Sequence, residues 1–158
     1  MEIKELTKSK IKAIVDIYSQ YNKKDAKIIE DVYTKFYSKP KSKRNPNIKD
    51  YVIVKDKQII AFTGFNKEET ETTDIYWMNW TSIDKDSENK KETMNLLFDF
   101  LVKELKKRRC RKLYVNTSSL EKEFIGLYKS LGFKEEARMK DYYKEGEDSI
   151  ILSTHILS

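Results

Sequence analysis

The heptapeptide Leu127-Tyr128-Lys129-Ser130-Leu131-Gly132-Phe133 constrains this chain more than any other stretch. Leu127, Tyr128 and Leu131 recur at helical spacing, Gly132 stops the helix, and Phe133 opens a strand. Alone it is an ordinary junction between a helix and a strand. Its force comes from its flanks, which can be read in register with it and fix the order of elements over the second half of the chain. It also puts a phenol near a helix end, a position from which a tyrosine can donate a proton.

The remaining elements follow from periodicity. Glu2–Leu6 alternates as a short strand. Lys8–Tyr21 carries Ile11, Ile14, Val15 and Tyr18 at helical spacing. Asp25–Tyr37 does the same with Ile28, Ile29, Val32, Phe36 and Tyr37, and Asp25 is the expected N-cap. Ser38–Asp50 holds both prolines and reads as an exposed loop. Tyr51–Lys55 and Gln58–Asn66 flank Asp56-Lys57 as a hairpin. Lys67–Thr72 is a turn and Thr73–Ile83 one long strand. Met94, Leu97, Phe98, Leu101 and Leu105 mark the buried stripe of a helix over about Glu88–Lys107. Lys112–Thr117 is a strand. Ser119–Leu131 is a helix with Leu120, Phe124, Leu127, Tyr128 and Leu131 inward. Phe133–Tyr143 and Ser149–Ile156 are the last strands, joined by a turn at Lys144–Asp148. The unit Thr73–Thr117 predicts a right-handed parallel crossover. The fold class is therefore α+β, with a central mixed, mostly antiparallel sheet of six to seven strands and helices on both faces.

Composition excludes several classes. With 158 residues the chain suits a single domain over 1–158, long enough to bury a core. One cysteine, Cys110, forbids an internal disulfide. The cations around it favour a thiolate, and entry into a strand favours an inert thiol. The net charge of +6 is spread among 26 acids, which argues against nucleic acid as a partner. Lys39–Lys49 and Lys103–Lys112 read as solvated basic faces. No apolar run is long enough for a membrane span and no signal peptide opens the chain, so a soluble, cytoplasmic protein is expected. No residues have metal-ligand spacing, so no metal is expected, and His155 reads as structural.

Ile83-Asp84-Lys85-Asp86-Ser87-Glu88 opening one helix, Leu96-Leu97 within it, and Leu127–Phe133 ending another resemble the GNAT superfamily of N-acetyltransferases over essentially the whole chain. Asn116-Thr117-Ser118-Ser119 and the tail Glu136–Asp148 resemble one of its subgroups. The resemblance implies an acetyl-CoA-dependent N-acetyltransferase, in which a primary amine of a small molecule or peptide attacks the thioester directly in a ternary complex. Acetyl-CoA is the implied co-substrate, and homodimerisation is open. A GNAT-fold binding or regulatory protein without catalysis is the alternative.

The implied site residues follow the family motifs. Thr81 and Ile83 stand on the strand that the family uses for the pantetheine, and backbone N–H groups around Trp80–Ile83 stand where it stabilises the oxyanion. Glu88, Asn89, Lys90, Lys91, Glu92 and Thr93 occupy the pyrophosphate loop, where the family carries glycines and this chain has none. Lys90 and Lys91 offer point charges for phosphate. The same residues also read as a capped helix start, with Ser87 or Asp86 as the cap. Tyr128 takes the position of the acid that protonates the leaving thiolate, and by periodicity alone it is a core tyrosine. Tyr142 and Tyr143 resemble aromatics beside the acceptor channel. Asp74, Asn79, Glu121 and Glu123 are the candidate sources of the base, although Asn79 has no useful basicity.

Overall fold

A computed structural model describes residues 1–70 and 74–157. The expected start of a strand at Thr73 and the end of a turn at Thr72 lie outside the described residues. Among the described residues the fold is mixed α+β, with eight strands paired mostly antiparallel and four α-helices. It divides into two compact units, Met1–Asn66 with Asn79–Leu97, and Lys67–Met78 with Phe98–Ser158.

In the first unit, β1 (Glu2–Glu5), β2 (Ile48–Lys55) and β3 (Gln58–Lys67) pair antiparallel in sequence order, and β5 (Ser82–Ile83) adds to β3. The expected hairpin forms. Asp56 and Lys57 both take positive φ, +50° and +65°, as a two-residue type I′ turn requires. α1 (Ile11–Ser19) buries Ile11, Ile14 and Ile17. α2 (Lys23–Tyr37) buries Ala26, Ile29, Tyr33 and Tyr37. With Leu6, Val52 and Phe62 these side chains, Ala26 apart, make one core.

α2 keeps part of its expected face. Ile29 and Tyr37 are buried as expected, whereas Ile28 and Val32 are 51% and 46% exposed and Tyr33, off the expected stripe, turns inward. Two buried tyrosine hydroxyls need polar partners, and β2 supplies one, as described below. The helix also begins earlier than expected. Asn22 is the N-cap, accepting the Asp25 N–H at 3.1 Å and donating to the Asp25 carboxylate at 2.9 Å.

In the second unit the strand order is β4 (Ile75–Met78), β6 (Lys112–Ser118), β8 (Glu147–His155), β7 (Lys134–Lys144). The β4–β6 pair is parallel, as the crossover predicts, and the other pairs are antiparallel. α4 (Lys122–Ser130) buries Phe124 and Tyr128, while Leu120, expected inward, precedes the helix and is exposed.

The opening heptapeptide folds as a Schellman motif. Gly132 has φ +96°, the Phe133 N–H donates to the Tyr128 carbonyl at 3.1 Å, and the Gly132 N–H to that of Lys129 at 3.1 Å. The Tyr128 and Phe133 rings pack at 5.6 Å, which supplies the apolar contact across this cap.

The eighth strand arises because the run expected as one long strand is broken. β4 ends at Met78, β5 begins at Ser82, and residues 79–81 are not strand. α3 (Lys90–Lys107) keeps the expected stripe, with Met94, Leu97, Leu101 and Leu105 buried and Phe98 half-buried. Among the described residues no helix is long and apolar enough to cross a membrane. Cys110 is fully buried, and burial pushes its thiol up to about 11, so the structure favours the inert thiol over the thiolate.

Candidate functional site

The break between β4 and β5 is built by Asn79. Its backbone N–H donates to the Gly64 carbonyl at 2.9 Å. Its side-chain amide donates to Asp50 Oδ1 at 2.8 Å and to the Phe65 carbonyl at 3.2 Å, and it accepts from Asn66 Nδ2 at 2.6 Å. Thr81 turns back on the same residue, donating its hydroxyl to the Asn79 carbonyl at 3.0 Å and meeting the Thr63 hydroxyl at 2.8 Å.

Past the break, the Asp84 N–H donates to the Ile60 carbonyl on β3. Strand alternation then turns the N–H and C=O of Ile83 away from β3, and those of Thr81 with them. Consistent with this, the Ile83 carbonyl accepts the Tyr21 hydroxyl at 2.6 Å. Among the described strands β5 pairs with β3 alone, so the Thr81 backbone groups and the Ile83 N–H on its other edge face no strand and can bond an extended amide chain, while the Ile83 carbonyl is held by Tyr21.

The segment that follows is a self-capped helix start. Asn89 is the cap, rather than Ser87 or Asp86. Its side-chain oxygen accepts the Glu92 N–H at 3.1 Å, its Nδ2 donates to the Glu92 carboxylate at 3.0 Å, and its carbonyl accepts both the Thr93 N–H and the Thr93 hydroxyl. Thr93 is buried, whereas Glu88, Asn89, Lys91 and Glu92 are exposed and Lys90 half-buried. Between Asp84 and Glu92 stand four acids and three lysines. Such a segment is no glycine cradle for a pyrophosphate, and any attraction for phosphate must come from the Lys90 and Lys91 ammonium groups. An Asn89→Ala variant is expected to lose about 1 kcal/mol of stability, read by urea unfolding.

Sequence reasoning missed Asp50. It falls at the end of a basic, proline-containing stretch and was expected in a loop. The structure places it in β2, 4% exposed. Its carboxylate accepts from Tyr37 Oη at 2.6 Å, Tyr33 Oη at 3.2 Å and Asn79 Nδ2 at 2.8 Å. Burial pushes the Asp50 carboxyl above the usual carboxylate range, and the hydrogen bonds from Tyr37, Asn79 and Tyr33 oppose that shift. Burial, and then the Asp50 charge, raise the Tyr33 and Tyr37 phenols.

A carboxyl raised on folding binds more protons in the native state, so its contribution to stability falls as pH rises from about 4 to its folded value and is flat above. The stability difference between the parent and Asp50→Asn is therefore expected to favour the parent most at the acid end and to shrink with rising pH. Urea unfolding across that range measures it.

In the second unit two of the base candidates, Asp74 and Glu121, are engaged, and Glu123 is exposed. Asp74 pairs with Arg111 at 3.1 Å. Glu121 accepts the Thr117 hydroxyl at 2.6 Å. The Asn116–Ser119 motif is structural: Asn116 accepts the Ser149 hydroxyl at 2.7 Å, and Ser119 Oγ accepts the Asp148 N–H at 2.8 Å. Tyr128 is 4% exposed between Phe124 and Phe133.

Tyr142 and Tyr143 lie on a different feature of that unit. The pairing of β7 with β8 shifts between Met139 and Lys144, and Asp141 takes φ +53°. Asp148 pins the bulge, accepting the Asp141 N–H at 2.9 Å and pairing with Arg138 at 2.9 Å. The two tyrosines stand on it, 58% and 49% exposed, with rings edge to face at 5.1 Å.

No family model matches the sequence, and no curated protein matches it. Solved structures do match the fold. A Desulfovibrio desulfuricans protein assigned to the GNAT family of acetyltransferases superposes with a TM-score of 0.83 at 15% identity, covering 98% of each chain. The ribosomal-protein-S18-alanine N-acetyltransferase from Escherichia coli gives 0.72 at 20% identity, covering 99% of this chain and 94% of that one. The aminoglycoside 6'-N-acetyltransferase from Enterococcus faecium gives 0.75 at 15% identity, covering 100% and 98%. At these identities the likeness is one of fold, and the chain is a GNAT-fold protein.

Proposed function

We propose that this protein is an N-acetyltransferase that moves the acetyl group of acetyl-CoA to a primary amine of a small molecule or peptide. The observation that carries the reading is the break at residues 79–81, which leaves the β5 edge open directly after a group of polar side chains around Asn79. The backbone groups of Thr81 and the Ile83 N–H suit the amides of a pantetheine arm. Lys90 and Lys91 supply cations for phosphate in place of the missing glycines. Glu88, Asn89, Glu92 and Thr93 shape that helix start rather than cradle the ligand.

The thioester supplies the activated acyl carbon. The chain supplies the rest: N–H groups after the break for the carbonyl oxygen, Tyr128 as the acid that returns a proton to sulfur, and Tyr142 with Tyr143 as amphipathic rings for the acceptor. The GNAT-fold acetyltransferases named above support the class of reaction.

The test is thiol release from acetyl-CoA over a panel of amines, including amino acids, polyamines, aminoglycosides and peptides. Amine-dependent release is the expected result. A folded protein that releases no thiol with any amine contradicts the reading and favours a non-catalytic role.

A further inference from the structure

We propose that Asp50 and Arg44 form the acceptor subsite, and that the acceptor is a compact zwitterion of the α-amino-acid class, its ammonium on Asp50 and its carboxylate on Arg44. This rests on the acetyl-transfer reading and narrows its substrate.

Asp50 and Arg44 both line a cleft of about 240 Å³, together with Glu5, Tyr37, Lys41 and Asn45. Asp50 is almost wholly desolvated, and its three side-chain partners, Tyr33, Tyr37 and Asn79, are all neutral donors. A buried carboxylate bound only by neutral groups lacks a countercharge, and a bound ammonium supplies it. The carboxylate is also fixed in place. A Cβ on Gly64 would come within 2.3 Å of Asp50 Oδ1, so it lies directly over a backbone position without a side chain.

Tyr37 links the two charges. Its hydroxyl donates to Asp50 Oδ2 at 2.6 Å, and the Arg44 guanidinium stacks over its ring at 5.0 Å. Arg44 is itself held by the carbonyls of Lys39 at 2.9 Å and Tyr37 at 3.1 Å. A fixed cation one tyrosine ring from a fixed anion matches a small molecule carrying both charges. The same guanidinium repels a polyamine or an aminoglycoside, a repulsive element that sharpens selection. Lys41 is paired with Glu5 at 3.7 Å and adds little.

The chemistry at Asp50 is one proton transfer. The acceptor R–NH3+ gives its proton to the Asp50 carboxylate, leaving R–NH2 and a neutral carboxyl. The freed lone pair then forms the N–C bond to the acyl carbon as the C–S bond breaks, the proton that the nitrogen sheds on becoming an amide balances the one the thiolate takes, and the Asp50 carboxyl returns its own proton to solvent. The raised carboxyl suits this exchange, because it brings the proton acceptor nearer in basicity to the amine.

The experiment titrates a set of α-amino acids, their decarboxylated amines and spermidine into the full chain by calorimetry, without acetyl-CoA. At least one amino acid is expected to bind at least about tenfold more tightly than its decarboxylated amine and than spermidine. Asp50→Asn is expected to weaken amino-acid binding at least about tenfold, and Arg44→Gln, on the cleft wall, to abolish the preference over the decarboxylated amine. Circular dichroism establishes that each variant is folded. Equal binding of amino acid and decarboxylated amine, unchanged binding in a folded Asp50→Asn, or no amino-acid binding overturns the proposal. Turnover with polyamines alone would overturn it while leaving acetyl transfer standing. Amino-acid binding without any use of acetyl-CoA would do the reverse.

Discussion

Gly64→Ala is expected to lose about 3 kcal/mol of stability, the upper end of the usual range for overpacking a closed site. Gly64 is buried in β3 opposite Asp50 of β2. An added Cβ would stand 2.3 Å from Asp50 Oδ1 and 2.3 Å from the Lys49 carbonyl, with Asn79 Nδ2 at 3.0 Å. Two of those three neighbours cannot retreat freely. The Lys49 carbonyl is backbone within a paired strand, and Asp50 is held by Tyr33, Tyr37 and Asn79. Displacing Asp50 would break a buried carboxylate away from its donors, which adds to the steric cost. Urea unfolding measures the loss. A Gly64→Ala variant as stable as the parent would mean that Asp50 does not occupy the position described.

Tyr128→Phe is expected to lower turnover about 100-fold while leaving acetyl-CoA affinity unchanged. The change removes one oxygen. The ring keeps its packing against Phe124 at 6.5 Å and Phe133 at 5.6 Å, and the Schellman motif at Gly132 is made by backbone. A fall in rate with unchanged circular dichroism therefore reports the hydroxyl rather than the fold. Undiminished turnover would remove Tyr128 as the acid and leave it the core tyrosine that its burial also explains.

The local parts of this fold were legible because local chemistry determines them. The hairpin at Asp56-Lys57 and the glycine-closed end of α4 are each set by a few adjacent residues, and the α3 stripe repeats over about three turns. What sequence reasoning lost depends on distant partners. α2 reads as burying Ile28 and Val32 along with Tyr37, yet those two are exposed and Tyr33 goes inward beside Tyr37, because a carboxylate 17 and 13 residues away receives the two hydroxyls. Asp50 reads as loop because its neighbours are polar, and its burial depends on an asparagine 29 residues further along. The break in the long strand is invisible for the same reason, since Asn79 interrupts it through bonds to Gly64, Asn66 and Asp50. The implied pyrophosphate loop was legible as a departure, and the structure shows what replaced the glycines: an Asn89–Glu92 cap.

A GNAT-fold chain with a glycine-free, self-capped helix start is proposed here to take acetyl-CoA as its substrate. Calorimetric titration of acetyl-CoA into the folded protein decides whether it does. Saturable binding in the micromolar range, weakened when Lys90 and Lys91 are both changed to glutamine, is the result predicted. No measurable binding to a protein that unfolds cooperatively would contradict it.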